Sequence, residues 1–234
     1  MRSWKIFFLL SAFFNILLVA SIGYITHRLG GLKYMIHRIN NRDISGIYEH
    51  RKGFLDVLPM TKNAIIFLGD SITEYGQWEE FTQNPKVRNR GIAGDTTPNL
   101  LKRLSAITKS QPAKIFLMIG VNDFLFFDRH QIIKNYAQIV QRIKKESPNS
   151  EIYVQSILPV NPTIRRIQVD NQEVRLLNED IKALAVKEQL TYIDLHSLLT
   201  DEVGNLDKQH TRDGIHLNVG AYTIWKELVT PYFN

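Results

Sequence analysis

Two kinds of hydrophobic pattern divide this chain. Residues Ile6 to Ile25 are twenty positions without a charge, broken only by Ser11, Asn15, Ser21 and Gly23. Beyond residue 62 the apolar residues come instead as short β-forming runs that alternate with stretches of helical period. Strands are predicted at Ile65 to Leu68, Val87 to Asn89, Ile115 to Ile119, Glu151 to Ile157 and Leu190 to Leu195. Between them, Leu100, Leu101, Leu104 and Ile107 lie on one helical face, with Thr97 as N-cap and Pro98 at the first helical position. Ile132, Ile133, Tyr136, Ile139, Val140 and Ile143 mark a second helix that stops at Ser147-Pro148. Val174, Leu177, Ile181 and Leu184 mark a third. A last helix, capped by Asn218, carries Tyr222, Trp225 and Leu228, and Leu158 to Arg166 reads as a loop. Such alternation implies parallel strands, right-handed crossovers and helices on both faces, that is, a three-layer α/β/α domain on a mostly parallel five-stranded sheet.

The uncharged N-terminal run, at 1.5 Å per residue, would reach about 30 Å, the thickness of a bilayer's hydrocarbon core. Trp4 and Tyr24 stand near its ends, where amphipathic rings favour the interface. A single-pass transmembrane helix is the expectation. A cleaved signal peptide, with its usual apolar region of about 7 to 15 residues, and a buried core helix are the competing readings. The organisation expected is an anchor at 1–27, a basic linker with a packing helix at 28–62, in which Tyr48, Phe54, Leu55 and Leu58 are the apolar positions, and a body at 63–234.

Charge sharpens this division. Residues 1–62 hold nine Lys/Arg against three Asp/Glu, whereas the remainder holds twenty of each. The net charge of +6 therefore belongs to the N-terminal part, and no basic stripe with interleaved aromatics points to nucleic acid. Arg28, Lys33, Arg38 and Arg42 after the span outnumber Arg2 and Lys5 before it, which by the positive-inside count favours a cytoplasmic body. A short basic tail before an apolar run is also how an exporting signal anchor begins, and an extracytoplasmic body is the orientation expected here. The segment Arg28 to Lys52 reads as a solvated linker or as a contact for anionic lipid headgroups. With no cysteine, disulfides, thiol catalysis and thiolate metal sites are excluded, while the compartment stays open.

Chemistry enters at the strand ends. Ser71, in Gly69-Asp70-Ser71 after the first strand, is a candidate nucleophile at the rim of a crevice, although the same three residues also make an ordinary turn. Serine needs a base, and histidine is the side chain that serves near neutral pH. His210 and His216 flank Asp213, and the three-residue separation of Asp213 from His216 lets one turn bring carboxylate and imidazole together. The carboxylate would hold one ring N–H while the other nitrogen faces Ser71. Acyl transfer also needs oxyanion donors, for which the N–H groups of Ser71 and Gly94 and the amide of Asn122 are candidates, each with a turn or capping role as its alternative. Trp78, Phe124, Phe126 and Phe127 line a substrate pocket or belong to the core.

Taken together, Gly-Asp-Ser71, Gly94 in GIAGDTT, Asn122 in Gly-Val-Asn-Asp and Asp213-x-x-His216 resemble the four ordered blocks of the SGNH (GDSL-type) hydrolases over residues 63–234. Within that family the wording is similar to the branch of the platelet-activating-factor acetylhydrolase catalytic subunits. The resemblance implies a flavodoxin-like fold and a serine esterase or acylhydrolase that needs no metal or cofactor. It also implies Ser71 as nucleophile, His216 as base, Asp213 as its orienting acid, and an oxyanion hole from Ser71, Gly94 and Asn122. Asp70 and Asp123, inside the same blocks, with Trp78 and Phe124 beside them, become substrate-contacting candidates. The membrane span is no part of the family's core, and Ile72 stands where the family usually has leucine. Expected substrates are a small acyl ester or a lysophospholipid-like lipid, or alternatively O-acetylated cell-surface carbohydrate. A tethered, non-catalytic binding domain is the reading from another class. Neither the resemblance nor the residues fix an oligomeric state.

Overall fold

The structure is a computed structural model that describes residues 2–28, 44–59 and 61–233, in two units, Met1–Gly46 and Ile47–Asn234. In the first unit, helix α1 (Arg2–Arg28) contains a stretch, Trp4–Thr26, long and apolar enough to cross a membrane, and its side chains are exposed almost throughout. Residues 29–43, which hold most of the expected basic linker, lie outside the described residues.

The second unit holds all but the first three residues of helix α2 (Ile44–Val57) and contains strands β1 (Ile65–Gly69), β2 (Val87–Gly91), β3 (Lys114–Met118), β4 (Glu151–Gln155) and β5 (Thr191–Ile193). All pairings are parallel and the order is β2-β1-β3-β4-β5. After β1 the chain turns to one side of the sheet to make β2 and then to the other for β3, so the carboxyl end of β1 stands at a topological switch point. Helices α3 (Ser71–Glu74), α4 (Trp78–Thr82), α5 (Thr97–Thr108), α6 (Arg129–Glu146), α7 (Asn171–Glu188), α8 (His196–Leu199) and α9 (Val219–Val229) fill the connections.

Register explains much of the core. Phe67 on β1 is paired with Phe116 on β3, which is paired with Tyr153 on β4, so the three side chains share one face of the sheet. Their rings stack in series, at 5.0 Å and 4.6 Å between centroids. Trp78 lies over Phe67 at 4.0 Å, and Trp225 meets Trp78 edge-on at 4.6 Å. Neither tryptophan leaves its indole N–H unpaired: Trp78 donates to the Thr73 carbonyl and Trp225 to the Gln155 side chain.

Several sequence expectations need correction. The N-cap of α5 is Thr96, because Thr97 and its N–H are taken by Asp123 on the neighbouring connection. Of the four apolar positions expected on the packing helix only Leu55 is buried, while Phe54 and Leu58, the latter just past the end of α2, face solvent. Strand β4 stops at Gln155, although the Ser156 N–H still donates to the Ile193 carbonyl, and β5 has three residues, the N–H of Leu190 before it being bonded back to Ala185 at the end of α7.

Candidate active site

Ser71 is the first residue of α3, directly after β1. The carboxylate of Asp70 caps that helix, accepting the N–H of Ile72 at 2.9 Å. A residue in the first helical turn has no partner for its N–H within the helix, so the backbone of Ser71 is free to act as a donor. The end of β2 is drawn against α3 at Gly91, where any Cβ would stand 2.3 Å from the Glu74 nitrogen. Gly94 follows with φ of +75°, a left-handed conformation that suits glycine and leaves its backbone open to a close approach.

The base comes from the other end of the chain. Residues 211–217 do not form a helical turn: they make a tight loop closed by an antiparallel bridge between Thr211 and Leu217, with Gly214 at φ +90°. Asp213 organises that loop, its Oδ1 accepting the N–H groups of Ile215 and His216 at 3.1 and 2.9 Å. Its Oδ2 lies 2.7 Å from His216 Nδ1, and His216 Nε2 lies 3.1 Å from Ser71 Oγ. A carboxylate only accepts, so Nδ1 carries the ring proton and Nε2 presents its lone pair to the serine hydroxyl. Burial pushes the Asp213 carboxyl up, but the hydrogen bonds from the His216 ring and from the two backbone N–H groups outweigh it and hold the group at about 2. The arrangement can deprotonate a serine and stabilise the imidazolium that results. Ser71 is 7% exposed, shielded from bulk water.

Asn122 reaches the same edge of the sheet from the 3₁₀ turn Asn122–Leu125 after β3. Its amide donates to the Asp95 carbonyl at 3.0 Å, which fixes the group beside the Gly94 loop and leaves its second N–H for a ligand. Four distant segments therefore meet at one rim.

The other candidates are placed differently. Trp78 is 1% exposed inside the aromatic stack, out of a substrate's reach. Asp70 is buried as the α3 cap, and desolvation pushes its carboxyl up to about 7. Asp123 is fully buried and binds the N–H and hydroxyl of Thr97, joining the β2 and β3 connections; burial raises it to about 6. Phe124 is half-buried against the core, while Phe126 and Phe127 are exposed.

Two neighbours of the site, Tyr75 and Arg103, stand outside the four sequence blocks. Tyr75, one turn after Ser71, sets its ring 4.9 Å from that of His216, and Arg212 lies over Tyr75. Beneath the Gly94 loop, Arg103 forms a buried ion pair with Asp95 at 2.7 Å and donates to the Gly69 carbonyl. Its place on α5, between the buried Leu100 and Leu104, was the available clue. Desolvation pushes the Asp95 carboxyl up even so. Asp95→Asn, which strands a guanidinium that cannot lose its charge, should cost about 3–5 kcal/mol and lower the melting temperature by roughly 6–20 °C. Differential scanning fluorimetry measures this directly.

With this geometry in view, the comparisons are specific. Residues 67–224 match the GDSL-like Lipase/Acylhydrolase family, and the chain belongs to it: the protein is an ester-bond hydrolase of the GDSL type. Among its relatives, the platelet-activating factor acetylhydrolase IB subunit alpha2 of Rattus norvegicus is 26% identical over 181 residues, covering 74% of this chain and 77% of that one. The N-acylneuraminate cytidylyltransferase of Escherichia coli O18:K1:H7 is 29% identical over 195 residues, 81% of this chain, which spans only 43% of that enzyme's length. A Streptococcus pneumonia structure carrying a provisional platelet-activating-factor name superposes with a TM-score of 0.76 at 28% identity, over 86% of this chain and 99% of that one.

Proposed function

We propose that this chain is a membrane-anchored serine esterase in which Ser71 attacks an ester carbonyl, His216 takes its proton and Asp213 holds the imidazole. The observation that carries the reading is the continuous hydrogen-bonded chain from Asp213 through His216 to Ser71. The alcohol leaves with the proton from His216, and water activated by the same ring then releases the acid from the acyl-enzyme. The N–H groups of Ser71 and Gly94 and the amide of Asn122 would receive the oxyanion. Asn122→Ala should accordingly lower kcat by about 10²- to 10³-fold while KM changes little. Steady-state kinetics of the detergent-solubilised protein on a short p-nitrophenyl ester read both constants.

The substrate class favoured is a small acyl ester or a lysophospholipid-like lipid. The likeness to platelet-activating factor acetylhydrolase supports it. So does a mainly apolar cavity of about 360 Å³ beside the site, walled by Tyr75, Phe81, Leu217 and Tyr222 with Arg212 at its edge. The likeness to an enzyme named for N-acylneuraminate favours a second reading, an O-acetyl esterase of cell-surface carbohydrate. Turnover of lysophospholipids against acetylated glycans separates the two. Helix α1 would tether the body to the membrane, with the body outside the cytoplasm, and protease accessibility in sealed cells tests that side.

A further inference from the structure

A cavity of about 470 Å³, whose lining does not include Ser71, lies between α2, the end of α3 with α4, and the edge strand β2. Three arginines line it: Arg51 from α2, and Arg88 and Arg90 from β2. Two already have carboxylate partners, Arg51 with Glu74 at 3.3 Å and Arg88 with Glu79 at 3.0 Å. Arg90 has none among the described residues. It is 3% exposed, one Nη donates only to the carbonyl of the adjacent Asn89, and the other Nη is buried without a partner. Burial and the nearby Arg88, Arg51 and Arg103 push its guanidinium down to about 10, which still leaves it charged at neutral pH. A desolvated, unpaired cation is expensive unless something neutralises it. Glu80, the remaining carboxylate on the cavity wall, is exposed to solvent and makes no ion pair with it.

We propose that this cavity binds a phosphate or phosphate-ester group, with Arg90 as the buried anchor and Arg51 and Arg88 as flanking donors. A guanidinium presents a planar fork of N–H groups that matches phosphate oxygens, and a doubly charged phosphate can accept from the flanking arginines as well, which a carboxylate cannot do equally. A soluble phosphate and a lipid headgroup both carry this group, and the chemistry recognised is the same.

The test uses the full chain in neutral dodecyl maltoside micelles and reads the thermal midpoint at constant ionic strength. Inorganic phosphate is the first probe, phosphatidic acid mixed into the micelles the second, and acetate the control. At saturation, wild type should gain ~5 °C or more, a gain that Arg90→Gln abolishes. Should that variant fail to fold, Arg51→Gln and Arg88→Gln, at half-exposed positions, should each cut the gain by at least half. Ser71→Ala should retain it fully, which separates this site from the esterase reading. A gain with inorganic phosphate assigns a soluble source, and a gain with phosphatidic acid alone assigns a headgroup; either supports the site. No arginine-dependent gain with either probe, or an equal gain with acetate, overturns it.

Discussion

Replacing Ser71 by alanine should lower kcat for a short p-nitrophenyl ester by about 10⁴- to 10⁶-fold, the largest effect expected of any single substitution. The size follows from chemistry rather than folding. Among the described residues the Ser71 hydroxyl bonds only to His216 Nε2, and the α3 cap belongs to Asp70. Removing this one oxygen, which caps no helix, therefore leaves helix and strand in place, and the melting temperature should stay within a few degrees of wild type. Residual activity from the oxyanion donors and from substrate binding would persist. Stopped assays of wild type and variant side by side measure the ratio, and an alanine variant with near-full activity would remove Ser71 from the mechanism.

Asp213→Asn should cost about 10⁴-fold in kcat for a different reason. Asp213 Oδ1 accepts two backbone N–H groups, so an asparagine would keep its carbonyl oxygen there and turn its NH₂ toward His216 Nδ1. That donor forces the ring proton onto Nε2, where it faces the serine hydroxyl and cannot accept its proton. The wild-type carboxyl, held at about 2, stays ionised over the whole range in which the protein would be assayed. Any loss of rate on mild acidification therefore does not belong to Asp213. The depressed carboxyl also lends stability that is fully present above its ordinary value of about 3.8 and is lost as the pH falls toward 2. Kinetics of the asparagine variant across pH test both points: a loss of less than tenfold would mean that the carboxylate does not set the tautomer.

How much of this was legible beforehand differs from residue to residue. The apolar runs before Gly69 and Met118 announce buried parallel strands because a strand covered on both faces has no polar side to show, whereas the edge strand β2 reads Val-Arg-Asn-Arg and announces itself only weakly. The three-residue separation of Asp213 and His216 announced a pair, and the structure joins them to Ser71. What a sequence does not display is which way a polar side chain turns once distant segments meet. Asp123 sits beside Asn122 in the same block, yet it points inward to Thr97 while Asn122 stays at the rim. Thr97 looked like a cap for the same reason, since its competing partner lies 26 residues away. Trp78 follows a site block, but its ring is more favourably buried on Phe67 than exposed to a ligand. Arg90 reads as an ordinary charge in a strand until its surroundings prove to hold other arginines and no acid of its own.

The central claim is that the hydroxyl of Ser71 becomes covalently acylated. Treating the full-length protein with a fluorophosphonate and mapping the modified peptide by mass spectrometry tests it most directly, because such reagents trap a serine activated by its neighbours. The account predicts one adduct, on the peptide containing Ser71, lost in Ser71→Ala and strongly slowed in His216→Ala. Undiminished esterase turnover with Ser71 unmodified, or stoichiometric labelling at another serine, would contradict it.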